Sequence, residues 1–249
     1  MKTSFIKAFA LYASLGLASS AFAIPTLQVG VSNGSGGYVA YTAGSNPSEA
    51  DTAYTSGNSV VVGGAYGSNA DTLIGGNYGT GPDWSAFGFS SVFNGHGAVV
   101  MASVSVASNS LTLNGLSSFY TTTANLFPNN HAPLGDAASF MFFDIGDFAK
   151  IANTVTDFAC TSGCTAKTGQ LKNLTLGGTG AYDWIHFDVM ALVTDAKGQC
   201  SLDTTLDNNP GSHDVTWKTP STNVPEPSTT LLLGLGLMGL LFAHRARSV

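Results

Sequence analysis

Positive charge is scarce in this sequence. Of its nine basic residues, Lys2 and Lys7 stand at the extreme N-terminus and Arg245 and Arg247 at the extreme C-terminus. Residues 24–224 keep only Lys150, Lys167, Lys172, Lys197 and Lys218, with no arginine and nothing basic before Lys150. Nucleic-acid backbones are held by clustered Lys and Arg, whose counterion release supplies much of the affinity, so no nucleic-acid partner is expected. An anionic lipid surface is excluded on the same ground. Fourteen of the fifteen acids accompany those five lysines, a formal charge of −9. Such a body suits neutral polymers or divalent cations. Catalytic motifs are equally thin. No H-E-x-x-H pair occurs. Glu49 is the one glutamate of residues 24–224. Asp144 and Asp147 offer a conceivable acid and base, but glycosidase carboxylates must flank a cleft at a set separation that sequence does not give. The reading is therefore non-enzymatic.

Sustained helical periodicity is missing too. β-Branched and alternating runs divided by Gly, Ser, Asn and Pro take its place. They predict strands over 26–31, 38–42, 59–63, 84–93, 98–106, 110–120, 139–145, 171–177, 184–193 and 213–217. Short strands at this spacing make an all-β domain, a β-sandwich or jelly roll. It is flanked by an N-terminal signal helix and a C-terminal membrane helix. No fixed-period repeat points to a solenoid. The stretch 32–81, rich in Gly, Ser, Asn and Ala, reads as loops and short edge strands anchored by Tyr41, Tyr54, Tyr66 and Tyr78. Cysteine is limited to Cys160, Cys164 and Cys200, too few for a cysteine-only zinc site. In an oxidising compartment Cys160–Cys164 is the expected disulfide, with Cys200 bonded to either as its rival.

The two ends carry addresses. Lys2 and Lys7, an apolar run over 8–17 and the small-residue site Ala21-Phe22-Ala23 form a secretory signal peptide over 1–23. The body follows over 24–218, a polar linker over 219–224 and a tail over 225–249. In that tail an uncharged run, 228–243, lies between Pro225-Glu226-Pro227 and a basic end containing Arg245 and Arg247. The run is slightly short of the ~20 residues that span a bilayer comfortably, and its basic flank favours a cytoplasmic C-terminus with the body outside. Gly234-Leu235-Gly236-Leu237-Met238-Gly239 matches the dinucleotide pattern in letters alone, without the strand, helix and distant acid that give it meaning. The three features in order resemble the PEP-CTERM tail of Gram-negative bacteria. That resemblance implies an exosortase as processing partner, cleavage near Pro225, Glu226 and Pro227, and a membrane helix that holds the chain before processing. It assigns no catalytic residue here.

Candidate chemistry gathers at the histidines. Along Trp184-Ile185-His186-Phe187-Asp188-Val189, alternation sends Ile185, Phe187 and Val189 one way and His186 and Asp188 the other. Should the neighbouring segments bring His131, His213 and Asp214 to that face, imidazoles and carboxylates would make a metal site suited to Zn²⁺ or a similar ion. The competing expectation is an ordinary polar strand face, with no resident cofactor. Calcium at Asp203, Asp207 and their neighbours is a weaker idea, since the EF-hand pattern is absent and a solvated turn explains the composition. Trp84, Trp184 and Trp217 are the candidate platforms for a polysaccharide, apolar rings against apolar sugar faces. Phe87, Phe89 and Phe93 alternate as core residues do.

Dispersed motifs of the body, among them Asn130-His131-Ala132-Pro133-Leu134, Ile185-His186-Phe187-Asp188 and Ser212-His213-Asp214, resemble the choice-of-anchor N family. That resemblance implies an extracellular domain without an assigned activity. Together these observations predict an exported surface or extracellular-matrix protein with a structural or adhesive role in the envelope or exopolysaccharide matrix. A carbohydrate-binding module and a metal-dependent glycan hydrolase are the alternatives.

Overall fold

Alternating apolar residues draw this chain into strands. The computed structural model describes residues 24–40, 53–67, 72–75, 83–197, 201–211 and 213–219. The signal segment 1–23, the sorting tail with Pro225, Glu226 and Pro227, and Tyr41, Tyr78, Cys200 and Ser212 lie outside the described residues. The chain divides into two units, Met1–Lys218 and Thr219–Val249; the fold below is that of the first.

In chain order the strands are β1 (Leu27–Ser32), β2 (Tyr38–Val39), β3 (Ala53–Thr55), β4 (Ser59–Ala65) and β5 (Thr72–Ile74). Then come β6 (Ala98–Val104), β7 (Thr112–Leu113), β8 (Leu116–Ser117), β9 (Tyr120–Thr122) and β10 (Ser139–Gly146). The last are β11 (Ile151–Val155), β12 (Lys167–Gly177), β13 (Trp184–Lys197), β14 (Ser201–Asn208) and β15 (Val215–Lys218). One sheet runs β2-β1-β4-β12-β7-β8, with β11 also on β12. The other runs β3-β15-β13-β6-β10-β9, with β14 and β5 also on β13. Among the described residues no helix reaches seven residues, and none is long and apolar enough to cross a membrane. The described residues are mostly β-strand, consistent with an all-β body.

The two sheets share one core. Leu27, Val29 and Val62 from the first meet Val100, Ala102, Ile185, Phe187 and Val189 from the second. Because successive strand residues point to opposite faces, the partners of that set must face away. Val99, Met101, Phe140, Phe142, Met190 and Leu192 do so, and they form a second core with Trp84, Phe93, Phe127 and Leu134 from the loops. The central strands β6 and β13 are thus covered on both faces.

The first sheet has a covering strap. The side chain of Gln28 donates to the Thr156 carbonyl and accepts from the Phe158 amide. Phe158 is fully buried and stacks on Tyr38 at 4.3 Å between centroids. It rests on Gly30 and Gly63, where an added Cβ would come within 2.6 and 2.8 Å of its ring. Cys160 and Cys164 are disulfide-bonded just beyond the strap, with Cα atoms 5.9 Å apart.

Several expectations are corrected. Residues 84–93 are not a strand but two 3-10 turns, Trp84–Phe87 and Ser91–Phe93, capped by Asp83 and Ser90 and separated by Gly88 at φ 85°. The alternation of phenylalanines was a real core signal, but capping side chains and a left-handed glycine outweigh extension there. The run 110–120 is broken by Asn114 and Gly115, both at positive φ, the Asn-Gly pair that favours a tight hairpin. Asp203 and Asp207 lie on β14, paired to β13 residue by residue, and not in a solvated turn. The last strand begins at Val215, after His213 and Asp214. Strands β11 and β14 were not anticipated; β3 and β5 are short strands within 32–81, the stretch read as loops and short edge strands.

Candidate metal centre

Strand β13 pairs with β6 along one edge, where His186 lies opposite Ser103 and Asp188 opposite Met101. Its other edge changes partner midway: β15 pairs with Trp184–Phe187, and β14 takes over from Met190. Between those neighbours the chain 209–214 leaves the sheet and returns. Asn209 closes the gap, its amide bonding the Val189 carbonyl at 3.0 Å and its side-chain oxygen accepting from the Val189 amide at 2.7 Å. The remaining amide group of Asn209 donates to Asp188 Oδ1 at 3.0 Å.

Four side chains converge beside this gap. His186 and Asp188 come from β13, Asp214 from the returning chain, and His131 from the loop that covers the second core. Phe127 and Leu134 anchor that loop on either side of His131. One ligand atom from each of the four residues can be chosen so that all lie within 4.8 Å of one another. The two imidazole Nε2 atoms are 3.0 Å apart. His131 Nε2 lies 3.3 Å from Asp188 Oδ1 and 3.3 Å from Asp214 Oδ2. His186 Nε2 lies 3.4 Å from Asp188 Oδ2 and 3.7 Å from Asp214 Oδ2. A tetrahedral ion with ligands at about 2.0–2.1 Å has edges of about 3.3–3.4 Å; the two carboxylate contacts of His131 match that edge, while His186 faces the other oxygen of Asp188.

Tautomers point the same way. His131 Nδ1 donates to the Asn129 carbonyl at 3.1 Å, and the Thr216 hydroxyl engages His186 Nδ1 at 2.8 Å. Each ring therefore turns its Nε2 toward the cluster, the arrangement that second partners impose on metal-binding histidines. His186, Asp188 and Asp214 are fully buried, and the His131 side chain is 18% exposed. Asp188 Oδ2 is buried without a hydrogen-bond partner, a costly state for an anion that a cation would relieve. Burial works against charge on His131, but the hydrogen bonds and charge of Asp188 and Asp214 outweigh it and carry its pKa up to about 10. The pocket attracts positive charge strongly enough to keep a proton on an imidazole.

His213 does not join the cluster. Its Nε2 lies 2.8 Å from Asp157 Oδ1 in the strap, while its carbonyl accepts from the Val29 amide. Adjacent residues in near-extended chain face opposite ways, so His213 and Asp214 divide between two sites. A His213→Ala chain is expected to keep its full metal content, measured by elemental analysis; loss of metal equal to that of a His186 variant would place His213 back among the ligands. Thr216 and Asn209 were missed in the sequence. Cross-strand pairing brings Thr216 opposite His186, and Asn209 substitutes for a missing strand residue.

The tryptophan expectation is corrected for two of three. Trp84 is fully buried and donates to the His96 carbonyl, and Trp217 is 4% exposed and donates to the Gly57 carbonyl. Neither offers a ring face to a polymer. Trp184 is half-buried at the start of β13.

Comparison with known proteins bears on the tail alone. The family model of the PEP-CTERM protein-sorting motif matches residues 223–246. No curated protein and no solved structure matches the chain, and the likeness of the body to choice-of-anchor N proteins gains no support. The motif indicates an exported, envelope-directed protein that an exosortase processes.

Proposed function

We propose that this exported chain is a non-enzymatic structural or adhesive protein of a Gram-negative envelope or its exopolysaccharide matrix. Its β-domain is stapled by one zinc-like ion on His131, His186, Asp188 and Asp214. The observation that carries the metal reading is the convergence of four ligand atoms, one from each residue, within 4.8 Å of one another. Two imidazoles disfavour calcium, which prefers six to eight oxygens. Four protein ligands close the coordination shell, whereas catalytic zinc keeps a position open for water or substrate. That closure is why a structural role is preferred to a hydrolase. The ion would tie two loops to β13, which suits a protein that must persist outside the cell. The matrix role rests on the sorting motif and the acidic, arginine-free body.

Elemental analysis of the purified chain tests the metal directly. About one equivalent of zinc or a similar ion is expected, and none in a His186→Ala, Asp188→Ala double variant. Metal absent from both proteins would overturn the centre and leave a buried cluster sharing a proton.

Proton competition gives a second check. In the metal-free protein His131 holds its proton until about pH 10. The charge pairing this adds to stability is complete below the unfolded value near 6.5 and is lost as pH rises through about 10. Metal must expel that proton, so apparent affinity is expected to rise roughly tenfold per pH unit below 10. Calorimetry in buffers of different ionisation enthalpy would read about one proton released per ion; release of none would contradict the assignment of His131.

A further inference from the structure

The open side between the two sheets holds a second site that shares no residue with the metal cluster. Strand β9 covers β10 only at Phe140–Phe142, and β7 covers β12 only at Leu176 and Gly177. Between these short partners lies a groove of 510 Å³, within the ~300–1,000 Å³ usual for small-ligand clefts. Its walls come from the β7–β8 hairpin, β10 and β12.

Two carboxamides in those walls are oriented by the protein itself. The oxygen of Asn114 accepts from the Thr175 amide and that of Gln170 from the Ala149 amide. Each side chain is thereby fixed with its NH₂ end unused by the described residues. Leu116, 65% exposed, and the half-buried Phe119 supply apolar wall.

Charge narrows the ligand. Lys172 also lines the groove, but its ammonium donates to the Ile145 carbonyl and lies 5.0 Å from the Phe148 ring centroid. Asp144, another lining residue, and Asp147 both act on it electrostatically. One cation against two carboxylates leaves no net positive charge to hold an anion. Burial lowers the Lys172 pKa against the pull of Asp147 and Asp144, and it raises that of Asp147. The floor is therefore partly shielded from water, where a hydrogen bond to a ligand counts for more.

We propose that this groove binds a short stretch of neutral glycan, whose hydroxyl and ring oxygens accept from Asn114 and Gln170 while its apolar faces meet Leu116 and Phe119. The proposal rests on the extracellular placement argued above and is independent of the metal centre. It moves the sugar-binding surface away from the buried tryptophans.

The test uses the full chain in native gels cast with hydroxyethylcellulose, xyloglucan or galactomannan, with alginate as the anionic control. At least one neutral polymer is expected to retard the protein. An Asn114→Asp, Gln170→Glu double variant keeps both accepting oxygens and removes both donors. It should bind roughly tenfold more weakly or worse. Leu116→Ser, at an exposed position that folding does not depend on, should weaken binding severalfold. Retardation by no neutral polymer, by alginate alone, or to an equal degree in both variants would overturn the proposal. Metal content measured on the same samples separates the two readings. Sugar binding without metal removes only the centre, and metal without sugar binding removes only the groove.

Discussion

Replacing Asp188 by asparagine should cost the protein its metal, and it should change the metal-free fold in opposite directions on the two sides of the His131 titration. The substitution preserves shape: the Oδ1 that accepts from Asn209 remains, and only the charge and the Oδ2 facing His186 are lost. Affinity should fall at least hundredfold, since even partners of the ligands, one shell out, are worth tenfold to hundredfold. Stability then separates by condition. With free metal at a hundred times its dissociation constant, binding stabilises the parent by about 2.7 kcal/mol. Chelation should therefore lower the parent's melting temperature by about 5–10 °C and leave the variant unmoved. In chelator near neutral pH the variant should melt below the parent, because protonated His131 loses its Asp188 partner; above about pH 10, where His131 is neutral, the order should reverse, because two buried carboxylates no longer oppose one another. Thermal scans of both proteins at the two pH values, with and without chelator, would read this reversal. A parent whose melting temperature chelation leaves unmoved would mean that Asp188 serves packing or hydrogen bonding and not an ion.

Phe158→Ala should be the most damaging single truncation on the other side of the molecule, at about 3–5 kcal/mol. The ring is fully buried, and it sits where Gly30 and Gly63 leave the sheet bare. Those glycines have no side chain with which to refill the space, so collapse around the cavity is limited. Tyr38 loses its stacking partner as well. The strap also presents Asp157 to His213, but the variant should keep its metal, as His213→Ala should, because no ligand has changed. Chemical denaturation would measure the loss, and a value under about 1 kcal/mol would show that the strap is not packed as described. Phe158→Leu should give a smaller loss, because most of the volume returns.

Much of this was legible where one rule decides the outcome. The alternation through 184–189 put His186 and Asp188 on one face, and β13 places them so. The choice between His213 and Asp214 was not legible, because it depends on where β15 begins, and pairing decides that. Trp84 and Trp217 carry the same letters whether they meet sugar or core; only the loop 83–97 and the parallel neighbour β3 settle their burial. Asn114-Gly115 was a readable hairpin signal inside a run that otherwise favoured extension. The groove left no mark in sequence, since its donors are brought together from the β7–β8 hairpin and β12 by the gap between short partner strands.

The position of β13 in the chain has a bearing on export. It is the central strand to which β5, β6, β14 and β15 all attach, and it follows β5 and β6 by about ninety residues or more. The other sheet likewise waits for β12, which joins β4 to β7 and β11. Until residues 167–197 exist, the earlier strands have edges without partners, and most native contacts span long stretches of sequence. Chains of such topology close slowly. A nascent chain of this protein thus stays open through most of its synthesis, the state in which a polypeptide can be threaded out of the cell. Both sheets close only once the final third of the body has been delivered.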